Sequence, residues 1–347
     1  MDANVNLNFD WRRFRYDVCT DVRDCALYMF FFYAVYLLAT FIITFVGMFA
    51  SPAASEMLAG MMESMTLNPD SSSSIDLQGV TDGLAGQSNN LLGLTSMVAI
   101  VAGSMVFLIP RKRRFFTDIM LPAAERMTPK IFIVLIVVIQ CIQLLTGLLS
   151  SMIDYLLPEE LSIQDTYASA MEVMASPLGA IYVVLVGPIF EELIFRGAIM
   201  GSLRRYGENF AIIFSSLFFA FYHMMFLQIP FAFLIGLIFG YVATRWSLRA
   251  AIVLHIFNNG LSTLITSTDN ENVQIINVLV MIACSIATLI MAVKWREQFQ
   301  YRVKAGAAYY AHTYANGFSS IAFWIFVLIM TGFGFLQMYL PVLTQSL

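Results

Sequence analysis

The stretch LGAIYVVLVGPIFEELIFRGAIMGS, residues Leu178–Ser202, decides how this chain folds. It is apolar almost throughout and long enough, at about 20 residues or more, to cross a hydrocarbon core as a helix. Yet Glu191, Glu192 and Arg196 stand in its middle. A charge near the centre of a bilayer costs about 2.5–3.5 kcal/mol on insertion scales, so such residues mark function by default. A membrane helix carrying three ionisable groups is therefore the place to look for chemistry.

The rest of the chain agrees with a membrane environment. The 347 residues are 59% hydrophobic and 12% charged, with a mean hydropathy of +0.75; soluble domains carry about 25% charged residues. The apolar runs are continuous rather than alternating, which excludes barrel strands and leaves helices, whose backbone polar groups are satisfied within the segment. The expected fold is all-α, a polytopic transmembrane helical bundle of about nine spans near residues 26–50, 91–110, 131–153, 178–202, 210–227, 229–244, 250–267, 274–293 and 318–342. The organisation that follows is a cytoplasmic leader, 1–25, then spans 1–3 within 26–174 with a polar external loop at 51–90. A core of spans 4–8 occupies 175–293, and a cytoplasmic loop with the final span occupies 294–347.

Lysine and arginine concentrate on the cytoplasmic side of membrane proteins. With the N-terminus inside and the C-terminus outside, every Lys and Arg except Arg196 falls on that side, and 51–90, 154–177 and 268–273 contain neither. The first apolar run begins too late for a cleaved signal peptide and reads as a signal anchor. Residues 51–90, which include Ser71–Ser74, read as a solvated, mostly disordered spacer. Residues 111–129 mix basic side chains with Phe115 and Phe116, as in an interfacial helix on anionic lipid. None of Cys19, Cys25, Cys141 and Cys284 forms a CxxC pair, so neither disulfides nor a thiolate metal site is expected.

Few ionisable groups remain inside spans: Glu191, Glu192 and Arg196, then His223 and His255. Glu192 and Arg196 are i and i+4, the spacing of a helical ion pair. Glu191 is rotated about 100° away and is left as a free carboxyl, suited to a general base. His223 lies one turn after Phe219. His255 and Asn259 are again i and i+4 and present two hydrogen-bond donors to one side, as an oxyanion requires. Asn258 points elsewhere and reads as a helix–helix hydrogen bonder. A packing role explains any one of these residues, but not the set distributed over three spans. His312, in a cytoplasmic loop, is expected to have no catalytic role.

The runs EELIFRG (Glu191–Gly197), FAFYH (Phe219–His223) and HIFNN (His255–Asn259) resemble the CAAX prenyl protease and bacteriocin-processing family (CPBP, or Abi), whose motifs are EExxxR, FxxxH and HxxxN. All three occur in order, and the resemblance covers roughly residues 175–290. It implies an intramembrane endopeptidase of glutamic or metallo type acting on a membrane or lipidated peptide. Glu191 would be the general base, His223 would position and polarise the water or ligate a metal, and His255 and Asn259 would hold the oxyanion. Glu192, Arg196 and Phe219 would be supporting members. Glu191, His223 and His255 are the candidate zinc ligands, but HExxH is absent, and no required cofactor is the favoured expectation. The expected surroundings are the bilayer and a membrane peptide substrate in a bacterial plasma membrane, with no nucleic-acid partner. Two other readings use the same residues: a proton-coupled transporter, or a non-proteolytic bacteriocin-immunity protein or membrane scaffold. The absence of visible inverted repeats speaks against the transporter.

Overall fold

A computed structural model of the chain describes residues 10–50, 77–114, 125–157, 176–226, 228–268, 270–308 and 312–345. Among these the secondary structure is entirely helical. The helices are α1 (Trp11–Ala50), α2 (Leu77–Arg114), α3 (Pro129–Leu156), α4 (Pro177–Tyr206), α5 (Glu208–Tyr222), α6 (Gln228–Arg245), α7 (Leu248–Thr266), α8 (Glu271–Lys294), α9 (Arg296–Ala305), α10 (Thr313–Phe318) and α11 (Ile321–Gln345). Seven of the described helices, α1–α4 and α6–α8, are long and apolar enough to cross a membrane.

The ends of the first two spans extend beyond the residues that hydropathy marks. Helix α1 starts at Trp11, with Asp10 Oδ1 accepting from the backbone N–H of Arg12 and Arg13 at 3.0 Å each. The charged leader stays helical because Val18, Val22, Cys25, Ala26 and Met29 form one buried stripe at helical spacing. Its polar face also has partners: Asp21 pairs with Arg205 and accepts from the Tyr206 hydroxyl at 2.8 Å. Helix α2 starts at Leu77, inside the polar loop, since each residue added to an existing helix gains a hydrogen bond without a new nucleus. The remainder of that loop, 51–76, and residues 115–124 of the expected interfacial helix lie outside the described residues.

Local signals set several other ends. Thr128 Oγ1 caps α3 ahead of Pro129, and Ser247 Oγ caps α7 by accepting from Ala250 N–H at 3.1 Å. The expected span 210–227 is where the structure departs most. Helix α5 has 15 residues and stops at Tyr222. At 1.5 Å per residue it is about 22 Å long, short of a hydrocarbon core about 30 Å thick. The chain turns through His223 and Met224 and starts again at Gln228, with Pro230 tolerated in the first turn of α6. Non-helical backbone at such depth persists only where protein or a polar cavity surrounds it.

Helix α4 occupies the middle of the bundle, in contact with α1, α2, α5, α6 and α7. Its residues Ile194–Met200 are all buried. On the periphery, α3 packs on α8, and Ile275, Leu279, Ile282, Ile286 and Leu289 of α8 face outward. A row of that kind fits lipid as solvent.

Candidate active site

Helix α4 is not a regular α-helix. It widens into π turns at Tyr182–Val186 and Leu193–Ile199, on either side of Glu191 and Glu192. Such bulges recur at functional sites, and here the first has a cause in the sequence. In the widened register Gly187 N–H bonds to Tyr182 O, five residues back. The same register would pair Val183 O with residue 188, which is proline and has no N–H. The orphaned Val183 carbonyl instead accepts from Asn259 Nδ2 of α7 at 2.9 Å. Pro188 thus creates the acceptor that ties the third motif to the helix carrying the first.

The two glutamates have different surroundings. Glu192 is fully buried, and its Oε1 lies 3.0 Å from Arg196 Nη1 and 3.0 Å from His255 Nδ1. Arg196 is also buried; its Nη2 donates to Gly236 O of α6 at 3.1 Å, and its guanidinium lies 4.3 Å above the Phe219 ring. Desolvated cation–π contact of this kind contributes about 2 kcal/mol. Glu191 forms no such ion pair with Arg196. Its Oε2 lies 3.7 Å from His255 Nε2, beyond hydrogen-bond distance but within reach of one shared water.

The imidazoles are oriented by their partners. A carboxylate only accepts, so His255 Nδ1–H donates to Glu192 and the Nε2 facing Glu191 is left as the acceptor. Phe239 of α6 stacks on the His255 ring at 4.5 Å. His223 Nδ1–H donates to Phe219 O at 2.8 Å, which leaves its Nε2 free of that bond. Phe219 stands between the two histidines, 4.7 Å from His223 and 5.9 Å from His255 between ring centroids. Asn258, read from sequence as a helix–helix hydrogen bonder, instead donates along its own helix to Asn259 Oδ1 at 3.2 Å. Asn259 keeps one amide hydrogen beyond the one given to Val183.

Glu191, Glu192, Arg196, Phe219 and His255 are therefore gathered into one contact network. His223 and Asn259 join it through Phe219 and through α4. Among the described residues no group of three or more His, Cys, Asp or Glu side chains is placed to hold a metal ion.

Several site residues lie outside the motifs. The side chains of Tyr36, Tyr182 and Tyr222 lie within interaction distance of one another, with Ser96 beside Tyr36. They come from α1, α4 and α5. The Tyr182 ring edge and Glu191 Oε1 lie 3.9 and 3.6 Å from the point a Cβ on Gly187 would occupy. Polar-tipped aromatics within apolar spans were the available signal, but hydropathy counts them with the lipid-facing rings. Gly236 is a second omission. A Cβ there would stand 3.2 Å from Arg196 Nη2 and 3.1 Å from Ser216 Cβ. Gly236→Val is expected to displace the arginine and to cost about 1–3 kcal/mol, read as a lower melting temperature in detergent. An unchanged melting curve would show that α6 yields freely at this point.

Fold and site together define a multi-pass α-helical protein with a buried Glu–Glu–Arg–His network between its central helix α4 and α7. Residues 174–261 match the family model for type II CAAX prenyl endopeptidase, Rce1-like. That segment contains Glu191, Glu192, Arg196, Phe219, His223, His255 and Asn259. No curated protein and no solved structure matches the chain.

Proposed function

We propose that this protein is an intramembrane endopeptidase, one that hydrolyses a peptide bond in a membrane-associated or lipidated peptide with a water activated by Glu191. The observation that carries the reading is the pairing of Glu191 Oε2 with His255 Nε2 at 3.7 Å, while Glu192 is held by Arg196. A water at about 2.8 Å from both atoms would donate one hydrogen to each. Its lone pairs would then face a substrate carbonyl.

In this mechanism Glu191 takes a proton from the water as the hydroxide adds to the carbonyl carbon. The carbonyl oxygen becomes the oxyanion, and the remaining Asn259 N–H is the neutral donor available to it. His255 holds the water through Nε2, which accepts one of its hydrogens and keeps the water's lone pairs toward the carbonyl. Collapse breaks the C–N bond, with Glu191 returning its proton to the leaving amine. The new carboxylic acid gives its remaining proton to the freed amine, so the products are a carboxylate and an ammonium. His223 borders the same space from α5 and positions water or substrate. Glu192 and Arg196 fix the His255 ring without taking part in proton transfer. A lipidated substrate held in a membrane is the setting we favour, on the likeness of residues 174–261 to CAAX prenyl endopeptidases.

The test is a panel of lipidated and membrane peptides incubated with the full chain in detergent and in liposomes, with and without a strong chelator. Cleavage that persists in chelator is expected. Loss of cleavage in chelator, restored by zinc, would replace the metal-free mechanism. Proton-coupled flux in proteoliposomes without any cleavage would replace the protease reading altogether.

A further inference from the structure

The final helix lies outside the segment that matches the endopeptidase family, yet it meets the chain next to His223. Helices α5 and α11 run side by side in the same direction, joined by a ladder of aromatic contacts. Phe214 lies 5.6 Å from Phe323, Phe218 lies 5.3 Å from Phe323, and Phe218 lies 5.2 Å from Phe326. Below the ladder Phe210 packs on Tyr314 at 5.5 Å and Phe214 on Phe318 at 4.8 Å, so the starts of both helices lie at one end of the bundle. Continued by about two turns, the register brings Gly334 opposite Met224.

Met224 is the one non-glycine residue with positive φ, 56°, among those described. A left-handed methionine is disfavoured by about 1–2 kcal/mol and persists only where its surroundings impose it. Gly334 is part of those surroundings. A Cβ on Gly334 would stand 1.6 Å from the Met224 carbonyl oxygen, so no residue with a side chain fits without moving the turn. Immediately before that turn His223 ends α5, with its backbone N–H on Ala220 O and its ring on Phe219 O. A shift of the Met224 peptide therefore reaches the imidazole through a single residue.

We propose that α11 is a positioning element of the candidate site: the phenylalanine ladder sets its register, and Gly334 seats the left-handed turn that aims His223. Its kinetic arm rests on the proteolytic reading; its labelling arm does not. Gly334→Ala is compared with Gly332→Ala, where an added Cβ meets nothing within 4 Å. The full chain in micelles is used throughout.

Carbethoxylation of His223 by diethyl pyrocarbonate, followed by mass spectrometry, is expected to change in rate in Gly334→Ala and not in Gly332→Ala. With an active substrate, Gly334→Ala is expected to lower kcat by about 10–100-fold, the effect of an ångström-scale misplacement, with KM little changed. The same substitution in a His223→Ala background is expected to have no further effect on kcat. A merely structural role would lower activity equally in both backgrounds and overturn the proposal, as would identical His223 labelling in the two glycine variants. If wild type cleaves nothing, the protease reading fails while the labelling comparison still decides the clamp. Should Gly334→Ala not fold, Phe326→Leu takes its place in both arms, and additivity with His223→Ala there overturns the proposal.

Discussion

Glu191→Gln is expected to lower peptide hydrolysis by about 10²–10⁴-fold, the range of a lost general base, while the protein keeps its melting temperature. The amide preserves the shape of the side chain and fits beside His255 Nε2, which lies 3.7 Å from Glu191 Oε2. It cannot take a proton from water. Glu192→Gln is expected to behave differently, because that carboxylate is the ion-pair partner of a fully buried Arg196 at 3.0 Å. Its loss should lower stability first and activity through a loosened His255. Two adjacent glutamates are thus separated by which measurement moves, single-turnover cleavage for Glu191 and thermal unfolding for Glu192. Near-wild-type cleavage by Glu191→Gln would sink the assignment of the base.

The second large effect belongs to Arg196. Arg196→Met retains much of the volume but leaves Glu192 buried without its cation, and breaking a buried pair from one side costs about 3–5 kcal/mol. The lost bond to Gly236 O and the contact with Phe219 add to the damage. The double substitution Glu192→Gln with Arg196→Met removes both charges and is expected to recover much of the stability, though not the anchor for His255 Nδ1. Chemical denaturation in detergent gives the cycle directly. Equal destabilisation by the single and double variants would mean that packing, not charge, holds this network together. The buried Glu192 Oε2 has no hydrogen-bond partner among the described residues, which makes the local balance sensitive to such changes.

Much of this was legible before any coordinates. Hydropathy located the seven long helices because lipid requires continuous apolar runs of fixed length. The spacing of Glu192 and Arg196 placed them on one face, and their ion pair follows from helix geometry even through the widened turn. The two ends that hydropathy misread, at Trp11 and Leu77, extend helices into polar sequence, where the gain comes from packing partners and from propagation. The stop at Tyr222 was equally hidden, since FLQIPF after His223 is as apolar as a span and a left-handed turn leaves no mark in composition.

The pair of buried carboxylates at Glu191 and Glu192 divides along the same line. The sequence by itself determined that Glu191 and Glu192 lie in a membrane helix, and that only Glu192 shares a face with Arg196, because helix pitch acts locally. Tertiary structure alone decided the partners: His255 reaching both glutamates from another helix, Asn259 bound to the carbonyl that Pro188 cannot pair, and Gly334 set against the turn beside His223. Those contacts depend on how helices cross, and crossing is set by the packing of many side chains at once, which no local spacing encodes.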